Sequence, residues 1–117
     1  MANSGLHGAH PLTKDGIKTN VTSTAPGAYA LGKVEYNTFL ISRIGRSDDD
    51  LPGRLSDYIG QYNQFKFGYL GSAKEAFEYE CRLFHDFSPP DNIIHPDRPD
   101  GSTLKCPHCR NFDQQDD

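Results

Sequence analysis

The chain has no tryptophan, one methionine and three cysteines (Cys81, Cys106 and Cys109) in 117 residues. Three cysteines cannot all pair as disulfides, and reduced thiols are expected, as is usual in a cytosolic protein. No apolar run approaches the roughly 18 residues of a membrane span, and the amino-terminal stretch lacks the apolar core of a secretory signal. A cytoplasmic protein without a membrane partner is the default expectation. Positive charge is also scarce, with 12 Lys and Arg against 16 Asp and Glu for a net charge of -4. That balance argues against holding long duplex nucleic acid by counterion release alone. Much of the acidity lies in Asp48-Asp49-Asp50 and in the closing residues from Asp113, which leaves room for a local basic surface. No internal repeat is present.

The length suits one domain with a single core. Residues 1–24 are rich in Gly, Ser, Thr, Asn and His without apolar periodicity, and they read as a disordered leader with His7 and His10 solvated. Residues 25–110 form the domain, and 111–117 an acidic flexible tail. Tyr29-Ala-Leu-Gly and Phe39-Leu-Ile-Ser-Arg-Ile are short apolar runs separated by the polar Lys33 to Thr38, the pattern of a hairpin. Asp48 to Asp50 followed by Pro52 signal a helix start, with Leu51, Leu55, Tyr58, Ile59 and Tyr62 at helical spacing. Phe65 to Leu70 alternate as a third strand, and Ser72 caps a helix over about 73–86. The expected fold is α+β, with a small three-stranded antiparallel sheet flanked by helices in the order β-β-α-β-α.

Glu80 carries the chemical information in that last helix. At about 100° per residue, Ala73, Ala76, Phe77, Leu83 and Phe84 fall on its side. A carboxylate in an apolar face costs several kcal/mol on the order of its desolvation unless it meets a cation, a metal or a proton. A structural ion pair and a functional site are both consistent with that placement.

The order of several short motifs resembles the GIY-YIG nuclease superfamily over roughly 27–92. Gly27-Ala28-Tyr29 looks like its first signature tripeptide and Arg43-Ile44-Gly45 like its second, with Arg43 where the family has a tyrosine. Arg54 lies where the family's catalytic arginine enters the first helix. Tyr58 follows it by four residues, where many members carry a histidine, although a core aromatic is the simpler reading. Glu80-x-x-Leu83-Phe84 resembles the metal-binding glutamate and its apolar followers, and Asn92 is placed like a family asparagine. The literal Tyr58-Ile59-Gly60 falls on the expected helix and is not the motif.

The resemblance implies a phosphodiesterase site. Glu80 would hold one Mg²⁺ or Mn²⁺, Arg54 would contact the scissile phosphate, and Tyr29 would be the general base. An unperturbed tyrosine pKa of about 10 leaves little phenolate at neutral pH, so Arg43, Arg46 and the metal are expected to favour the anion. Arg43 itself stays protonated and cannot be a base. Arg46 and Ser47 are further candidates for substrate phosphates, beside Tyr58 and Asn92, and a solvated role for Arg46 and Ser47 is equally open. Asp48 to Asp50 are read as a helix N-terminus in preference to metal ligands.

A second constellation joins Cys81-x3-His85 to Cys106-Pro-His-Cys109. Three cysteines and one histidine can close a tetrahedral structural Zn²⁺ site, with His95 or His108 as substitutes for His85. Cys81 and His85 project roughly 100° or more away from Glu80 on the helix, so the two sets address different sides. His95, Asp97 and Arg98 lie in the loop between the zinc ligands, where ordinary loop hydrogen bonds account for them. The expected function is a Mg²⁺- or Mn²⁺-dependent, zinc-stabilised endonuclease acting on DNA. Its size and acidity favour single-stranded, flapped or end substrates, or help from a protein partner. The alternatives are a noncatalytic nucleic-acid-binding or adaptor domain and a protein-interaction module with structural zinc.

Overall fold

A computed structural model describes residues 4–92, 95–97, 99 and 104–108. Seven elements follow in the order β1 (His7–Pro11), α1 (Lys14–Asn20), β2 (Gly27–Glu35), β3 (Thr38–Ser47), α2 (Leu51–Ser56), β4 (Gln64–Tyr69) and α3 (Ala73–Phe87). The fold is α+β, as expected, but the sheet has four strands in the order β1-β4-β2-β3, all antiparallel. The expected hairpin and third strand do share that sheet. None of the described helices is long and apolar enough to cross a membrane.

The leader is the main correction. Residues 7–20 form β1 and α1, and Ser4 is tied to α3, whose Tyr79 hydroxyl and Arg82 Nη2 donate to its carbonyl. The segment has few apolar residues, but Leu12, Ile17 and Val21 are all buried. Thr13 caps α1 by accepting from the Gly16 N–H at 2.9 Å. β1 pairs along β4, and the His10 ring lies 5.4 Å from Phe65 and 5.8 Å from Phe67, so His10 is only partly solvated. A five-residue strand with so weak a sequence signal exists because β4 offers it an edge.

The β2–β3 hairpin is longer than expected and turns on Tyr36 and Asn37 alone, both at positive φ (51° and 63°). That is the primed two-residue turn whose twist matches paired strands, and asparagine suits it. Asp50 caps α2 by accepting from the Gly53 N–H, with Pro52 in the first turn. The helix stops at Ser56 instead of running to Tyr62. Asp57, Tyr58 and Ile59 donate to carbonyls three residues back, and Gly60 takes φ 90°, so the apolar spacing continues in tight turns. Gly60 serves that turn. Ser72 caps α3 as expected, accepting from the Glu75 N–H.

Alternation sends β2 side chains to two layers. Tyr29 and Leu31 join Leu12, Ile17, Val21, Leu51, Leu55, Phe65 and Phe67 under α1 and α2. Ala28 and Ala30 face the other way with Ile44 and Leu83 under α3. Small residues at 28 and 30 let α3 approach the sheet. Phe77, Cys81 and Cys106 form a third cluster with Leu104.

Candidate functional site

The edge strand β3 carries a cleft of about 260 Å³. Tyr29 reaches it from β2, Arg43, Gly45 and Arg46 from β3, Arg54 from α2, Tyr58 from the following turn, Glu80 from α3 and Asn92 from the segment beyond. Asp48 and Asp97 complete the wall. Residues 43 and 46 are three apart on a strand and therefore point to opposite faces. That parity explains their different surroundings.

Arg46 faces α3. Its Nη1 donates to Glu80 Oε1 at 2.6 Å and to the Asp97 carbonyl at 2.5 Å, and its Nε donates to Asp48 Oδ1 at 2.7 Å. The guanidinium also lies over the Phe77 ring, 5.3 Å from its centre. Of the two open readings for Arg46, the solvated one does not hold, because Glu80 is only 8% exposed and requires a cation. Burial pushes the Glu80 carboxyl up to about 7 against the pull of Arg46, and Asp48 adds to the rise. Arg46 loses to burial but gains more from Asp48 and Glu80, so its proton is held more tightly than usual. Among the described residues nothing donates to Glu80 Oε2.

Arg43 faces the tyrosines. Its Nε donates to the Tyr62 hydroxyl at 3.2 Å, which in turn donates to Asp91 Oδ2 at 2.7 Å. The guanidinium stands 5.7 Å from the Tyr58 ring centre. Tyr58 packs between Tyr29 and Tyr62, with ring centres 6.0 and 6.2 Å away. Tyr29 is 2% exposed. Burial, and then the Tyr58 phenol beside it, push its hydroxyl well above the ordinary tyrosine range. The expected lowering of Tyr29 by Arg43 and Arg46 does not occur, because both guanidiniums are directed elsewhere. A phenolate base is therefore disfavoured in this geometry. Gly45 is opposite Tyr29 in the register, and a Cβ there would sit 2.3 Å from the phenol oxygen and 2.5 Å from Cζ. The glycine of Arg-Ile-Gly is required by the ring stacked over it.

The other candidates divide. Arg54 lines the cleft and is exposed, and no described carboxylate forms an ion pair with it. Ser47 does not line the cleft. It is buried, and its hydroxyl accepts from the Asp50 N–H at 2.8 Å, bracing the turn into α2. Asn92 lines the cleft, but its amide bridges the strand edge, accepting from the Ile44 N–H at 2.7 Å and donating to the Ile44 carbonyl at 3.0 Å. It positions the wall instead of presenting a free amide. From the sequence, Asp48, Tyr62 and Asp97 read only as a helix start, a helical apolar position and a loop residue, and Asp91 is not read at all.

On the far side of α3, Cys81 and Cys106 are free thiols whose sulfurs, with a nitrogen of His95, lie within 4.8 Å of one another. This group could hold a metal ion. His95 is the histidine gathered there, in place of the expected His85. His85 stands beside it, its Nε2 3.4 Å from Cys106 Sγ and 3.2 Å from His95 Nε2. His95 Nδ1 is 2.8 Å from the Pro96 carbonyl. A donor N–H there leaves Nε2 as the lone-pair atom, the arrangement that orients a metal-ligating histidine. The His108 N–H donates to Cys106 Sγ at 3.4 Å, so His108 supports the sulfur from its backbone. Burial, with Cys106 close by, pushes the Cys81 thiol far up, while burial and the two neighbouring histidines pull His85 down. Cys109 and Arg98 lie outside the described residues. No family model, curated protein or solved structure matches the chain.

Proposed function

We propose that the cleft is the active site of a divalent-metal-dependent endonuclease of GIY-YIG type that hydrolyses DNA phosphodiester bonds. The observation that carries this reading is the convergence of Tyr29, Arg43, Arg54, Tyr58 and Glu80 on one cleft from five separate parts of the chain. Glu80 fits a hard cation, because it is a buried carboxylate at the cleft with Oε2 free of any described donor. Bound there, Mg²⁺ or Mn²⁺ would neutralise charge developing on the phosphate oxygens.

The chain's own groups do the rest. Arg54 clamps the phosphate with charge-assisted hydrogen bonds, since no described carboxylate competes for it. Arg43 adds a second cation at the cleft. Tyr29 keeps its proton and donates a hydrogen bond to a phosphate oxygen or to the attacking water, in place of the base role that the resemblance implies. Arg46 orients Glu80.

A second reading is a noncatalytic nucleic-acid-binding domain. The Arg46–Glu80 pair favours it, because it satisfies the buried carboxylate without any metal. Cleavage of labelled single-stranded, duplex and flapped DNA in Mg²⁺ and Mn²⁺ separates the two. Wild-type cleavage that is lost in folded Glu80→Gln and Arg54→Ala supports the nuclease, with single-stranded and flapped DNA cut faster than long duplex. Binding without cleavage supports the second reading.

For the second cluster we propose a structural Zn²⁺ on Cys81, His95 and Cys106, with the expected fourth donor, Cys109, outside the described residues. Sulfur and imidazole donors suit zinc. Elemental analysis of purified protein tests it: about one equivalent is expected for a tight site, and less than about a tenth overturns it.

A further inference from the structure

We infer that the metal at Cys81, His95 and Cys106 acts as a clamp on the wall of the cleft, tying α3 to the stretch that carries Asn92 and Asp97. The inference rests on the zinc reading above and not on cleavage.

Two connections lead from the cluster to the cleft. On α3, Cys81 directly follows Glu80 in sequence, so a metal bound to its sulfur fixes the helix turn that presents the carboxylate. Beyond the helix, His95 lies between the two contacts that hold the wall. Before it, Asn92 brackets the backbone of Ile44 through both ends of its amide, and the Asp91 N–H donates to the Ser42 carbonyl at 2.9 Å. After it, the Asp97 carbonyl accepts from the same Arg46 Nη1 that binds Glu80. Tethering His95 to Cys81 thus restrains both contacts.

Other described contacts of this stretch are local: the Tyr62 hydroxyl donates to Asp91 Oδ2 at 2.7 Å, and the His95 ring centre lies 5.2 Å from that of Phe84. None of the described residues of this stretch belongs to the two cores against the sheet. Loss of the metal should therefore release the wall and leave the sheet intact. The edge strand would regain unpaired groups at Ile44, and Arg46 would lose the Asp97 carbonyl while keeping Glu80 and Asp48.

Amide hydrogen exchange by NMR on the full chain reads this directly, because the Ile44 N–H is protected by Asn92 and not by another strand. Zinc-loaded protein is compared with protein stripped by a chelator, with metal content measured in both. Local opening should raise Ile44 exchange by about tenfold or more on zinc removal, while amides of the central strand β2 change by less than about twofold. His95→Ala in the presence of zinc should behave like the stripped protein. Asn92→Ala, which leaves every ligand in place, should expose Ile44 even when zinc is bound, and so calibrates the released state. Unchanged Ile44 exchange despite loss of one equivalent of zinc overturns the clamp. Equal acceleration of β2 and Ile44 also overturns it, since the metal would then hold the whole fold. A protein that binds no zinc removes the zinc reading, and the clamp with it, whether or not it cleaves DNA.

Discussion

Arg43 and Arg46 belong to the same strand and line the same cleft, yet they live in different chemistry. Arg43 rests on tyrosines, with a neutral hydroxyl as its hydrogen-bond partner. Arg46 is held among two carboxylates and a carbonyl, and its side chain is only 12% exposed. In the sequence Arg43 is the more prominent of the two, because it stands in a signature position, whereas for Arg46 a phosphate contact and a solvated role are equally open. Burial reverses that ranking. Strand parity turns Arg46 toward α3, where Glu80 has been removed from water, and a buried carboxylate makes its cation indispensable in a way that a phenol does not. Position in a motif therefore says less about energetic weight than the face on which a side chain emerges.

The largest break in this comparison should come from Arg46→Met. Leaving Glu80 buried without its cation costs about 3 kcal/mol, the order expected when one member of a buried pair is removed, and urea denaturation reads it. Arg46→Met combined with Glu80→Met should recover most of that loss, because replacing both members with apolar groups is often near neutral. A double variant as unstable as the single one would show that Arg46 matters through its other partners. Next, Gly45→Ala drives a methyl into the Tyr29 ring on the Arg43 side and should cost about 1–3 kcal/mol as overpacking of a closed core. A loss below that range would mean that Tyr29 can move, and would reopen its role as a base.

Alkaline titration sharpens the comparison on the same side. The folded pKa of Tyr29 is raised above its unfolded value, so its contribution to stability is complete below about pH 10 and is lost as pH rises beyond it. Phenolate absorbance should therefore show Tyr29 protonated until the protein unfolds. Its early titration, identified by loss of that step in Tyr29→Phe, would contradict the burial argument. Arg43→Gln should have the smallest effect on stability, under about 1 kcal/mol for one hydrogen bond and one exposed cation–π contact. If it costs as much as Arg46→Met, the contrast between the two arginines fails.

Much of the scaffold was legible because local chemistry and tertiary structure agree. Ser72 and Asp50 are caps in both readings, and the alternating Phe65 and Phe67 are buried strand residues in both. Residues 7–20 were misread as part of a disordered leader. β1 lacks branched residues, and α1 buries only Gly16 and Ile17, so neither carries a periodicity strong enough to see. Their order depends on β4 and on α3. The candidate cleft was legible as a set of residue types, but Ser47 and Asn92 turned out to hold backbone, Asp97 lines the cleft, and Tyr62 and Asp91 support Arg43 from beside it. Each of those roles depends on a partner 3 to 51 positions away, such as Asp50 for Ser47 and Arg46 for Asp97.

By itself, the sequence determined the α+β class, the hairpin, the caps and the presence of a carboxylate that could not stay alone in an apolar face. It also marked Cys81 and Cys106 as members of one cluster. The tertiary structure alone decided which cation answers Glu80 and which histidine meets the two sulfurs. It also decided whether Tyr29 can lose its proton. Caps and alternation are written in neighbouring residues, whereas the partner of a buried charge is chosen by whichever distant group the packed faces bring within hydrogen-bonding distance.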